Sequence, residues 1–166
     1  SSGIGANIAL SLAKKGVNIY GVYLRKPNDH ILKLTKEIQK HNVEVIFKKA
    51  NAANHDNISE IILELCSIKN LYIKTFIHSI AFGTLKPMIH EDKSKRLNKK
   101  NIDMTLDIMS NTLIYWTQSL FDAKLIKETS QIITMTSAGS QKQWESYGAV
   151  SMAKAALESA TRQLAF

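Results

Sequence analysis

Apolar residues along this chain alternate between two rhythms. Ile4, Ile8 and Leu12 recur every fourth position and are followed by Gly16, a helix face with a glycine stop. Val17–Leu24 is then a short apolar run of strand length, ended by Arg25-Lys26-Pro27. The alternation repeats with Ile31, Leu34 and Ile38 on a helix that Asn28 or Asp29 can cap and that stops near His41-Asn42. A strand at Val43–Phe47 follows. Asn57-Ile58-Ser59-Glu60 resembles a capping box for a helix carrying Ile58, Ile61, Ile62 and Leu65, and Tyr72–Ile77 is the next strand. Asp103 to Phe121 reads as one long helix with Met104, Ile108, Leu113, Trp116 and Leu120 among its apolar residues. Gln131–Thr136 is a further strand, and an alanine-rich helical run follows Tyr147. Strands and helices alternating at this spacing predict an α/β fold, a doubly wound parallel sheet with helices on both faces and ligand at the C-terminal strand ends. Residue 1 falls inside what looks like a motif and Phe166 inside a helical pattern. The expected sheet is therefore truncated at both ends, its first strand lying before residue 1 and its last strands after residue 166. Such a piece is not expected to fold stably alone.

Composition narrows the class. A chain of 166 residues, 45% hydrophobic and 22% charged, suits one globular domain with a proper core. No run of 18 apolar residues appears, so no spanning helix is expected. The net charge of +8 points to an anionic partner: nucleic acid, a membrane surface, or an acidic protein or substrate. The cations are densest at Lys86, Lys93, Lys95, Arg96, Lys99 and Lys100, offset only by Glu91 and Asp92. Without interleaved aromatics or a nucleic-acid motif, this segment reads as a solvated face or as a docking surface for something acidic. The single cysteine, Cys66, lies in an apolar helical pattern and is expected to be a buried structural thiol. With no disulfide framework, a cytoplasmic protein is expected; signals at the true N-terminus lie outside the sequence. The five histidines show no metal-ligand spacing, so no metal is expected, and His78 at a strand end reads as structural.

Candidate chemistry gathers at three places. In Ser1-Ser2-Gly3-Ile4-Gly5-Ala6, two glycines at a helix entrance let the backbone approach phosphate oxygens, where free N–H groups and the helix dipole hold an anion. In a dinucleotide-binding unit, the residue ending the next strand meets the adenosine ribose. Arg25 stands there in place of the acid that selects NAD, so NADPH is favoured over NADH. Third, Tyr147 and Lys154 are seven positions apart at the start of the last helix, about 10 Å along its axis and near one face. A phenol can donate a proton to a developing enolate or alkoxide, and a nearby ammonium stabilises the phenolate left behind. The separation is too long for direct contact and suits a cofactor lying between the two.

Together these pieces resemble the short-chain dehydrogenase/reductase family along essentially the whole chain. The residues that carry the resemblance are Ser-Ser-Gly-Ile-Gly at 1–5, the strand alternation, Thr136-Ser137-Ala138-Gly139-Ser140, and the Tyr147–Lys154 element. Most of that family places tyrosine four residues before lysine, where this chain has Val150. The wider spacing resembles the enoyl-acyl-carrier-protein reductases, as do His78-Ser79-Ile80-Ala81-Phe82 and Asp107-Ile108-Met109-Ser110; Met109 falls where most of the family keeps a catalytic asparagine. Two departures stand out. Ser137 occupies a position where many enoyl reductases carry a second tyrosine, and the first glycine of the phosphate loop would precede residue 1.

The resemblance implies a Rossmann-type fold, residues 1–166 forming a single incomplete dinucleotide-binding domain. It implies hydride transfer from NADPH to the β-carbon of a 2-enoyl thioester in fatty acid synthesis, with Tyr147 on the enolate oxygen and Lys154 on the nicotinamide ribose. Ser2, Gly3, Ile4 and Gly5 would line the pyrophosphate, Arg25 the 2′-phosphate, Asn51 and Ala52 the adenine, and Ile80 the cleft between adenosine and nicotinamide. An acidic acyl carrier protein would suit the cationic segment, and a homotetramer is implied for the complete chain. Two other readings stay open: a carbonyl reductase using Ser137 with Tyr147 and Lys154, and a non-catalytic relative that binds NADPH.

Overall fold

The computed structural model describes residues 3–166 and divides into two compact units, Ser1–Asn57 and Ile58–Phe166. In the first, α1 (Ile4–Ala13) leads through Gly16 to β1 (Ile19–Tyr23), α2 (Asn28–Gln39) and β2 (Val45–Lys49). Gly16 has φ 75°, the left-handed conformation that ends a helix at little cost only in glycine. β1 and β2 pair in parallel from Ile19↔Val45 to Tyr23↔Lys49, as expected of strands joined through a helix. Ala13, Ile31 and Ile38 are the fully or nearly buried residues of α1 and α2, and these two helices pack on each other and on the pair.

The second unit holds most of α3 (His55–Ser67), then β3 (Thr75–His78), α4 (Lys99–Leu106), a π-helical turn Asp107–Asn111, α5 (Thr112–Asp122), β4 (Gln131–Thr134), a 3₁₀ turn Ala138–Ser140 and α6 (Gly148–Leu164). β3 and β4 are again parallel, from Thr75↔Gln131 to His78↔Thr134. Among the described residues the strands thus form two parallel pairs with helical crossovers. No described helix is long and apolar enough to cross a membrane.

Several local expectations change. Pro27, not Asn28 or Asp29, is the N-cap of α2, because its fixed φ leads straight into the helix and no side chain caps it. α3 starts before the expected capping box: Asn54 Oδ1 accepts from the Asn57 N–H at 2.9 Å. The long helix expected at Asp103–Phe121 begins at Lys99, under a reciprocal Asn98–Asn101 cap, and is broken by the π turn. Cys66 is exposed rather than buried, because the apolar face of α3 falls on Ile58, Ile61 and Leu65. The cationic segment is a series of turns, pinned by buried Leu97, whose N–H bonds Pro87 O at 2.9 Å, and by Lys86 Nζ on Ser94 O at 3.0 Å.

Candidate active site

Tyr147 stands at the entrance of α6. Ser146 just before it has φ 57°, a left-handed turn costing a non-glycine residue about 1 kcal/mol, and the helix then starts with Ser151 N–H on Tyr147 O at 2.8 Å. Ala149 and Ala153 are fully buried, small enough to let α6 lie close against α4 and the π turn. Val150 is buried with them, so a hydrophobe fills the place four residues before the lysine.

Two turns along the same helix, Lys154 is 4% exposed. Its Nζ donates to Met135 O at 2.6 Å and to Ile80 O at 3.2 Å, beyond the ends of β4 and β3. Burial pushes its pKa down, and the two carbonyls satisfy two of its three protons. The third has no hydrogen-bond partner among the described residues. Sequence spacing put Tyr147 and Lys154 on one helix; the structure adds that the strand ends fix the lysine.

Ser137 caps the 3₁₀ turn. Its Oγ accepts from Gly139 N–H at 3.0 Å and lies 3.2 Å from Tyr147 Oη. Having accepted once, that hydroxyl still has a proton and a lone pair for the phenol. Gly139 is a glycine for reasons of space: a Cβ there would lie 2.2 Å from Tyr147 Cε1. Trp144 stacks edge-on against the Tyr147 ring, with centroids 5.1 Å apart. On another side, Met109 packs with Val150, Ala153, Leu106 and Tyr147. Gly148 is crowded by Met88, a Cβ falling 2.6 Å from its Cε, and Gly83 by Thr105, Val150 and Met109. Sequence reasoning missed Trp144 and Met88 and named Gly139 only as part of the 136–140 motif, without a role of its own. The glycines beside the motif were the only signal, and their crowding is invisible without coordinates.

His78, expected to be structural, is 2% exposed, with Nε2 2.8 Å from Thr112 Oγ1. Burial first, then repulsion from Lys154, lower its pKa to about 4, so the ring is neutral at physiological pH.

The remaining predicted positions lie in the first unit. Gly3 is the N-cap of α1 with φ 72°, no side chain among the described residues caps that helix, and its first turn carries no acid. Nothing described lies within 4 Å of where a Gly3 Cβ would be. A helix entrance with glycines at Gly3 and Gly5 and no acid in its first turn fits an anionic group. Ser2 lies outside the described residues. Arg25 is exposed just past β1, and Asn51 follows β2, where its N–H bonds Asn57 Oδ1 at 2.9 Å and its own Oδ1 accepts from Ala53. Ala52 is half-buried in the same turn.

A family model described as enoyl-(acyl carrier protein) reductase matches residues 1–166. The NADH-dependent enoyl-[acyl-carrier-protein] reductase FabI of Buchnera aphidicola subsp. Schizaphis graminum is 25% identical over 98% of the chain. The chain spans 60% of that relative's length. Among solved structures, a short-chain dehydrogenase/reductase from Serratia marcescens superposes with a TM-score of 0.85 at 19% identity, over 99% of this chain and 64% of that one. A 3-oxoacyl-[acyl-carrier protein] reductase from Brucella melitensis gives 0.80 at 20% identity, over 99% and 65%. Those identities speak to the fold alone, and the fold is the Rossmann-type one expected. The chain belongs to the enoyl-(acyl carrier protein) reductase family of the short-chain dehydrogenases/reductases.

Proposed function

We propose that the complete protein is an enoyl-acyl-carrier-protein reductase that uses NADPH to reduce the double bond of a 2-enoyl thioester, residues 1–166 forming one incomplete dinucleotide-binding domain. The observation that carries the reading is the pair on α6: Tyr147 at the helix entrance, Lys154 seven residues on and held by Ile80 O and Met135 O, with buried Val150 excluding a proton donor at the closer spacing. Bound reduced nicotinamide supplies hydride to the β-carbon. Tyr147 O–H donates to the thioester oxygen as enolate charge develops there, and this electrostatic stabilisation supplies most of the rate. Ser137 Oγ, 3.2 Å away, holds the phenol in line. The third Lys154 proton would serve the nicotinamide ribose, and Ile80 would line the cleft between adenosine and nicotinamide. Ser2, Gly3, Ile4 and Gly5 hold the pyrophosphate, Asn51 and Ala52 the adenine, and Arg25 the 2′-phosphate.

Arg25 favours NADPH here, whereas the Buchnera relative carries NADH in its name. The exposed Lys93 and Lys95 and half-buried Arg96 form a docking surface for an acidic acyl carrier protein. The complete chain is proposed to be cytoplasmic and to associate as a homotetramer through the region of α4 and α5 and through α6. A second reading, a ketone reductase, is favoured by the Ser137–Tyr147 contact, because a serine beside the phenol can hold a carbonyl oxygen. The test is NADPH oxidation by the complete protein with crotonyl and acetoacetyl thioesters side by side. Faster crotonyl reduction supports the enoyl reading. Faster acetoacetyl reduction replaces it with the ketone reading, and NADPH binding without turnover of either replaces both with a non-catalytic one.

A further inference from the structure

We propose that His78 is a positioning residue: through Thr112 it locks the π turn that sets Met109 in the buried cluster against which Tyr147 packs. The inference rests on the reading of Tyr147 above only for its effect on turnover. In a regular α-helix the Thr112 N–H would bond Ile108 O. Here it reaches Asp107 O, one residue further back. The Ile108 carbonyl accepts instead from Thr112 Oγ1 at 2.8 Å.

The proton positions then follow without choice. A carbonyl only accepts, so the single Thr112 hydroxyl proton points to Ile108 O. His78 Nε2, 2.8 Å from the same oxygen, must therefore carry a proton and donate it. The ring is the Nε2–H tautomer, and its buried Nδ1 has no hydrogen-bond partner among the described residues. With Thr112 fully buried and His78 2% exposed, water cannot readily replace either partner.

The same histidine connects to the lysine through its main chain. His78 O accepts from Met135 N at 3.0 Å, and Met135 O holds Lys154. One residue thus links the strand ends that fix Lys154 to the turn that carries Met109. Were the turn to relax to α-helical register, the residues on one side of it would rotate by about 100° and shift by about 1.5 Å relative to the other. Met109, clustered with Val150 and Ala153 where Tyr147 packs, would leave its place.

The experiment compares His78→Gln, His78→Leu, Thr112→Ser and Thr112→Val in the complete protein. Glutamine keeps an N–H donor at similar reach, and leucine does not. For the unmodified protein, nitrogen NMR at neutral pH is expected to give the Nε2–H tautomer. His78→Leu and Thr112→Val should speed hydrogen exchange at the Thr112 and Leu113 amides by about tenfold or more. They should also lower kcat by roughly the same factor, leaving NADPH affinity and the Michaelis constant nearly intact. His78→Gln and Thr112→Ser should restore most of both. An Nδ1–H or doubly protonated ring overturns the proposal, and so does His78→Gln behaving like His78→Leu. Unchanged exchange in His78→Leu overturns it as well. Tautomer and exchange decide the matter even if no enoyl turnover is found, which separates failure here from failure of the proposed reaction. If the leucine variant does not fold, the tautomer and the glutamine variant still decide.

Discussion

Two helix entrances in this chain share a description and differ in kind. Among the described residues, α1 and α6 both begin without a side-chain cap and without an acid in the first turn, and glycine stands at or beside each start. At α1 the glycine is needed for its backbone, with φ 72° and nothing described near its missing side chain. At α6 the glycines are needed for space: Gly148 abuts Met88, and Gly139 abuts the ring of Tyr147. An open entrance offers backbone donors to whatever anion arrives. A crowded one fixes a single side chain, which is what a proton donor requires.

That contrast can be broken by filling the space. Gly139→Ala should push Tyr147 off Ser137 and lower turnover on the order of 10²-fold, the usual cost of misplacing a reacting group by about 1 Å. Gly3→Ala should leave Tyr147 in place; at φ 72° and ψ −146° it should strain the backbone by about 1–3 kcal/mol, read by thermal unfolding, and weaken coenzyme binding, with turnover at saturating coenzyme changed far less. Equal turnover losses from both would erase the distinction.

Acid should also probe the crowded region. Folded His78 has a pKa of about 4 against an ordinary 6.5, so between those values the unfolded chain binds the extra proton. Stability is then full above about pH 6.5 and falls as pH drops toward 4, by about 3 kcal/mol in all. Lys154 is the charge facing the ring and adds to the effect. Denaturant titrations across that window should show the loss, and His78→Gln should flatten it. A profile unchanged by the substitution would mean that His78 is not the group responsible.

The open region is tested by its charge. Arg25→Ala should weaken NADPH binding about 10- to 100-fold, the value of a charge-assisted contact, and leave NADH nearly untouched. Equal affinity for both coenzymes in the unmodified protein would remove Arg25 from any role in selection.

What the sequence conveyed follows the same division. Periodicity located each described strand within a few residues and the described helices, though it joined α4, the π turn and α5 into one, because a parallel pair buried by helices needs apolar runs whatever lies around it. The Tyr147–Lys154 spacing was legible because one helix carries both. The π turn was not read: Met104 and Ile108 are four apart but Ile108 and Leu113 five, which on a regular α-helix would put Leu113 about 180° from Met104, and the Thr112 N–H on Asp107 O shows the extra residue. The exposure of Cys66 was missed because its neighbours are apolar and the face of α3 is narrow. Gly139 and Trp144 act through a residue on another segment, and no local pattern encodes that.

The most direct measurement is turnover of crotonyl thioester with NADPH by the complete protein and by Tyr147→Phe. The substitution removes one hydroxyl and keeps the ring that Gly139 and Trp144 enclose. The phenol is proposed to stabilise the enolate and leave coenzyme binding to other groups. The rate should therefore fall about 10²- to 10⁴-fold while the NADPH dissociation constant stays within about twofold. A Tyr147→Phe protein that reduced crotonyl thioester at the original rate would contradict the account at its centre.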